Sequence, residues 1–112
     1  MPVLAPSSEP AVVTVAPTNT TVLEVDTRFV DVLTVQLTNT DGTQTFAGTV
    51  QRRTHNETAF ADSDIPDFSG VGPGVSVMAD LDTRGSAVVR LVGYMSGAGG
   101  DVRVSYVRRV SP

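Results

Sequence analysis

Apolar and polar residues alternate with a period of two through most of the chain. Leu33, Val35 and Leu37 fall on one side of the segment from Val30 to Thr38, with Thr34, Gln36 and Thr38 on the other, the pattern of a strand with one buried face. The same alternation puts Phe46, Gly48 and Val50 on one face of Gln44 to Arg53. It puts Val75, Val77, Ala79 and Leu81 on one face of the next run, and Val102, Val104 and Tyr106 on one side of Asp101 to Val110. Val22 to Asp26 and Ser86 to Met95 also read as strands. Clusters of Gly, Asn and Asp separate these runs, and no long segment holds a 3.6-residue apolar period. The pattern predicts an all-β fold, a small antiparallel β-sandwich or barrel of six to eight strands.

Two stretches depart from this rhythm. Pro2, Pro6, Pro10 and Pro17 fix φ and remove backbone donors, so residues 1–17 are expected to form an extended arm and residues 18–112 a single β domain. Within the arm, Ala11 to Val15 is a β-branched run with two readings. It is the first strand of its own domain, or an arm whose Val12, Val13 and Val15 add a strand to a neighbouring subunit. Residues 54–74 form the second departure, a long loop with one short turn of helix or strand near Ala59 and Phe60. The Asp41-Gly42 pair predicts a hairpin between the segments that flank it, because glycine reaches φ > 0 without a Cβ clash.

An echo runs through the sequence. Asp26-Thr27-Arg28 returns as Asp82-Thr83-Arg84 at an offset of 56 residues, and Arg52-Arg53 returns at the same offset as Arg108-Arg109. Pro17 and Pro73, and Val32 and Val88, keep that register. Coincidence in a Val- and Thr-rich chain is one reading. A duplicated unit is the other, and it predicts two related β-meanders, an aspartate capping each Asp-Thr-Arg corner, and all four paired arginines on one rim.

Composition narrows the function. The 112 residues include no cysteine, no tryptophan and one histidine, which removes disulfide frameworks, thiolate metal sites and most nucleophile pairs. Eight arginines, no lysine and twelve acids give a net charge of −4, the wrong sign for a nucleic-acid binder. No run approaches the roughly 18 apolar residues of a membrane span, and Met1 to Pro10 lacks the features of a secretory signal. The chain is expected to be soluble and made in a cytoplasm.

Candidate chemistry is sparse. His55 sits in a polar loop without a nucleophile elbow and reads as a solvated histidine rather than a catalytic one. Asp62, Asp64 and Asp67 offer hard oxygen ligands, but Pro66 and Asp67 break the calcium-loop pattern, so no metal is expected. The glycine groups at 70–74 and 93–100 read as turns, not phosphate cradles. No catalytic residue and no cofactor is expected. The all-arginine set reflects either the base composition of the gene or an interface, since guanidinium is weakly hydrated and pairs bidentately with carboxylates. On the second reading Arg52, Arg53, Arg108 and Arg109 form a rim that contacts a neighbouring subunit.

The proline-studded arm, the Val-Gln-Leu-Thr-Asn-Thr-Asp-Gly segment at 35–42 and the Arg-Leu-Val-Gly-Tyr strand at 90–94 together resemble the small decoration, or cement, proteins of tailed-phage capsids. The resemblance implies a structural virion protein that is no enzyme. It implies a homo-oligomer, often a trimer, on the outer capsid surface, partnered by the major capsid protein and bridging its neighbouring subunits. Val12, Val13, Val15 and the four rim arginines are the expected contact residues. A carbohydrate- or cell-surface-binding β module of a phage fibre or bacterial surface protein is the alternative, with Phe60, Phe68, Tyr94 and Tyr106 as its only aromatic platform.

Overall fold

In the computed structural model, which describes residues 3–7, 10–62 and 68–110, the alternating runs form ten strands in two antiparallel sheets. The strands are β1 (Val3–Ser7), β2 (Ala11–Val15), β3 (Thr20–Asp26), β4 (Val32–Asn39), β5 (Phe46–Arg53), β6 (Ala61–Asp62), β7 (Phe68–Val71), β8 (Ser76–Asp82), β9 (Val88–Met95) and β10 (Gly100–Val110). In one sheet β10 lies between β4 and an edge made of β1 and β2, and β8 closes the far side of β4. In the other, β5 lies between β9 and an edge made of β6 and β7, and β3 closes the far side of β9. The ten segments therefore occupy eight positions of a β-sandwich. The residues of the predicted arm lie in this sheet, with β1 and β2 running along successive parts of β10.

The 56-residue echo organises the whole sandwich. β3 and β8 are related by that offset at both ends, as are β4 and β9. Pairing repeats with it: Val102↔Asn39 through Arg109↔Val32 in one sheet matches Phe46↔Met95 through Arg53↔Val88 in the other, residue for residue. Each sheet takes strands alternately from both halves, so neither half forms a sheet by itself.

Two sequence expectations are corrected by this topology. The Asp41-Gly42 segment does not close a hairpin, because β4 and β5 belong to different sheets. It is an arch between the sheets. Asp41 Oδ1 accepts from the amides of Thr43 and Gln44 at 2.8 Å each, and buried Asn39 donates to the carbonyls of Gln44 and Val71. The two halves are likewise not meanders, since β3 and β5 both pair with β9, and β4 pairs with β10 and β8, rather than β3, β4 and β5 with one another. Alternation fixes which side of a strand faces inward but not which sheet it joins. The 54–74 segment also carries more strand than expected, with β6 and β7 both along β5.

Two Asp-Thr-Arg corners lock the halves together. Thr27 N donates to Ala87 O at 2.9 Å and Thr27 Oγ1 to Ser86 O at 3.0 Å. Thr83 N donates to Asp31 O at 3.0 Å and Thr83 Oγ1 to Val30 O at 2.8 Å. Every one of these bonds is the other's counterpart at the 56-residue offset, the reciprocity of an approximate twofold axis. Both threonines are buried, so these groups have no water to fall back on.

The core between the sheets is nearly all aliphatic, with Leu33, Leu37, Leu81, Val15, Val35, Val50 and Val102 almost fully enclosed beside Phe46, Phe68 and Met95. Here the halves differ by compensating volumes. Phe46 fills the space over the paired glycines Gly48 and Gly93, where the related positions of the other sheet carry Val102, Val104 and Leu37.

Replacing either corner threonine by valine leaves a buried carbonyl without its donor. T27V and T83V are each expected to cost about 1–2 kcal/mol, with serine restoring most of it, as read by thermal or urea unfolding. A Cβ at Gly48 would stand 2.6 Å from the Phe46 ring, and one at Gly93 would meet the same ring and the carbonyl of Ala47. G93A is expected to cost about 1–3 kcal/mol by overpacking, measured in the same way.

Candidate interaction surfaces

The strand ends place six arginines at one end of the sandwich. Asp26 pairs with Val88 and Asp82 with Val32, while Arg53 and Arg109 pair with the same two valines. Arg28 and Arg84 at the corners therefore share this end with Arg52, Arg53, Arg108 and Arg109. Arg90 and Arg103 lie mid-strand.

Each corner holds a carboxylate and a guanidinium in a fixed pair. Asp26 Oδ1 accepts from the Arg28 amide at 3.0 Å and from its Nε at 3.1 Å, and Oδ2 accepts from Nη2 at 2.7 Å. Asp82 repeats the arrangement with Arg84 at 3.1, 3.0 and 2.7 Å. The side-chain bonds from arginine, followed by the bond from its amide, lower both carboxyls to about 2. These pairs stand in solvent, so they contribute shape and charge placement more than stability.

The four rim arginines are held by their own fold. Arg53 donates to the Glu57 carbonyl at 2.9 Å and Arg108 to the Asp26 carbonyl at 3.2 Å. Arg109 donates to Thr34 at 3.0 Å and lies 3.7 Å from Asp80. Arg52 approaches the Ser86 hydroxyl at 3.5 Å. Arg90 stacks 3.8 Å from the centroid of Phe60, and Arg53 approaches that ring at 5.6 Å, which fastens the 54–60 loop onto the outer face of β5 and β9.

The three arm valines divide by face. Val15 is fully buried in the core, Val13 packs partly against it, and Val12 is 65% exposed. Asp62 accepts from Gln51 at 2.9 Å, whereas Asp64 and Asp67 lie outside the described residues. Among the described residues no three His, Cys, Asp or Glu side chains gather as a metal site. The aromatic side chains do not share a platform: Phe68 is in the core, Phe60 lies under Arg90, and Tyr94 and Tyr106 are on different sheets.

One surface residue stands apart. Phe29 is 91% exposed and has φ of +64°, a left-handed conformation that costs a side-chain-bearing residue about 1–2 kcal/mol. Its counterpart across the internal twofold is Gly85, at φ +85°, where no such cost arises. Between the two corners lies an open hollow of about 440 Å³ lined by Arg28, Phe29, His55, Gly85, Ser86 and Ala87. The signal for Phe29 was in the echo itself, which aligns Asp-Thr-Arg-Phe with Asp-Thr-Arg-Gly and so sets a phenylalanine where the fold wants glycine.

Because both corner carboxyls are lowered in the folded chain, their contribution is complete above the ordinary value of 3.8 and is lost as pH falls towards about 2. A small loss of stability, limited because both pairs are screened by solvent, is therefore expected between about pH 4 and pH 2, and D26N/D82N is expected to reduce it, as followed by thermal melts across the range. No protein-family model matches this chain, and no curated protein matches it either. Its fold is shared with solved structures. The SPBc2 prophage-derived protein YomS aligns over 96% of this chain and 97% of its own, at a TM-score of 0.58 and 17% identity. A protein of the Bacillus endospore appendages, described as a family of disulfide-linked pili, aligns over 98% of this chain and 89% of its own, at a TM-score of 0.50 and 15% identity.

Proposed function

We propose that this chain is a structural subunit of an assembled particle, a decoration protein that binds the outer surface of a phage capsid and bridges neighbouring major capsid subunits. The observation that carries the reading is the end-to-end likeness in fold to a prophage-derived protein, joined by the likeness to a pilus protein. A rigid sandwich whose exposed apolar side chains are dispersed fits such a role. Val12 on β2 and Met78 on β8 are exposed on outer strands of one sheet, where a partner is met by side chains and by a strand edge together. Each contact is small, and many copies act together through avidity. The disulfide linkage named for the appendage pili has no counterpart here, because the chain has no cysteine.

Deleting the whole arm is a poor test, since it removes Val15 from the core and strips β10 of its neighbour. Val12→Asp changes the exposed side chain alone. It is expected to weaken binding to purified capsids at least tenfold while leaving the melting temperature within about 2 °C, a surface substitution's usual range. Mass spectrometry of purified virions completes the test. Hundreds of copies per particle support the capsid reading, a handful point to a tail or fibre, and none overturns it.

A further inference from the structure

We propose that the corner end of the sandwich is a self-association surface that takes a second copy of this chain head to head. The proposal goes beyond the capsid reading and stands on different residues. Phe29 is a nearly fully exposed ring held in a backbone conformation that costs energy, and it fills no space in its own fold. Strain of this kind persists where the surroundings impose it and gathers at functional positions. Beside the ring lies the hollow at Gly85, where a Cβ would have nothing within 4 Å.

Knob and notch are counterparts across the internal twofold, and this selects the partner. A second copy turned about an axis perpendicular to that twofold brings its Phe29 over the first copy's Gly85, and the reverse contact forms at once. The result is an isologous dimer, in which one patch serves both sides. The hollow of about 440 Å³ has room for a phenyl ring, given that benzene occupies an apolar cavity of roughly 150 Å³.

Charge agrees with the same placement. The rotation brings the Asp82–Arg84 pair of the second copy to the Asp26–Arg28 pair of the first. Each side then offers a carboxylate and a guanidinium at its corners, so opposite charges meet there, while Arg53, Arg108 and Arg109 at the same end are held by acceptors of their own chain and their like charge keeps the contact weak. A contact confined to one end buries less than the roughly 1,200 Å² of a stable complex. Self-association is accordingly weak, with a dissociation constant of roughly 100 µM, and it matters where copies are concentrated on a common support.

Sedimentation velocity on the full chain from about 10 µM to about 1 mM, bracketing that constant, tests the proposal. The wild-type weight-average mass is expected to rise from monomer towards dimer. Asparagine tolerates the left-handed conformation, so Phe29→Asn removes the ring and Gly85→Asn fills the notch without unfolding the corner. Both variants are expected to stay monomeric throughout, with F29N melting no lower than the wild type. A wild type that remains monomeric at 1 mM, one that forms trimers, or variants that dimerise as the wild type does would each overturn the proposal.

Discussion

The fold depends on two buried threonines that each satisfy the other half of the chain. Thr27 reaches the carbonyl of Ser86, and Thr83 reaches that of Val30. Because the backbone amides of both threonines cross in the same way, the two corners form one unit that neither half builds alone. The sheets extend this dependence along their length. β4 and β10 come from different halves, as do β5 and β9, and these are the long central pairs of the two sheets. Stability thus resides in contacts between halves, which suits a small sandwich that has no cysteine to brace it.

Where the halves depart from each other, the departures have physical causes. In the core, Phe46 over Gly48 and Gly93 replaces the more even packing of Val102, Val104 and Leu37, a redistribution of volume that keeps the interior filled. At the arches, buried Asn39 has Met95 as its counterpart, so one arch is held by hydrogen bonds from its own inward side chain, while the other is held from across the sandwich by Gln44, whose Oε1 accepts from the amides of Gly97 and Gly99. At the surface, Phe29 against Gly85 is different in kind. It adds strain and exposes a ring, and nothing within the chain gains from it.

Much of the architecture was legible in the residues. The alternation at Leu33, Val35 and Leu37 and at Val102 and Val104 identified inward faces that are indeed buried. The recurrence of Asp-Thr-Arg and Arg-Arg marked the corner end with its arginines. Sheet membership was not legible, because an inward-facing strand satisfies its pattern equally well in either sheet, and Asp41-Gly42 caps an arch as readily as it closes a hairpin. The candidate contact surface was legible only in part. Residue type marked the rim arginines, but their hydrogen bonds to carbonyls and hydroxyls of the same chain depend on three-dimensional placement. Val12, Val13 and Val15 look alike in sequence, and only their position along β2 separates an exposed side chain from a core one.

The two halves form one interlocked sandwich rather than two units in series. Cutting the full chain within its connecting loop tests it directly, using a protease site placed at residues 55–58, which are exposed. The two fragments are expected to remain together through size exclusion, to unfold in a single transition, and to melt at a temperature that rises with concentration. Fragments that separate under native conditions, or a half that keeps its β structure alone, would contradict it.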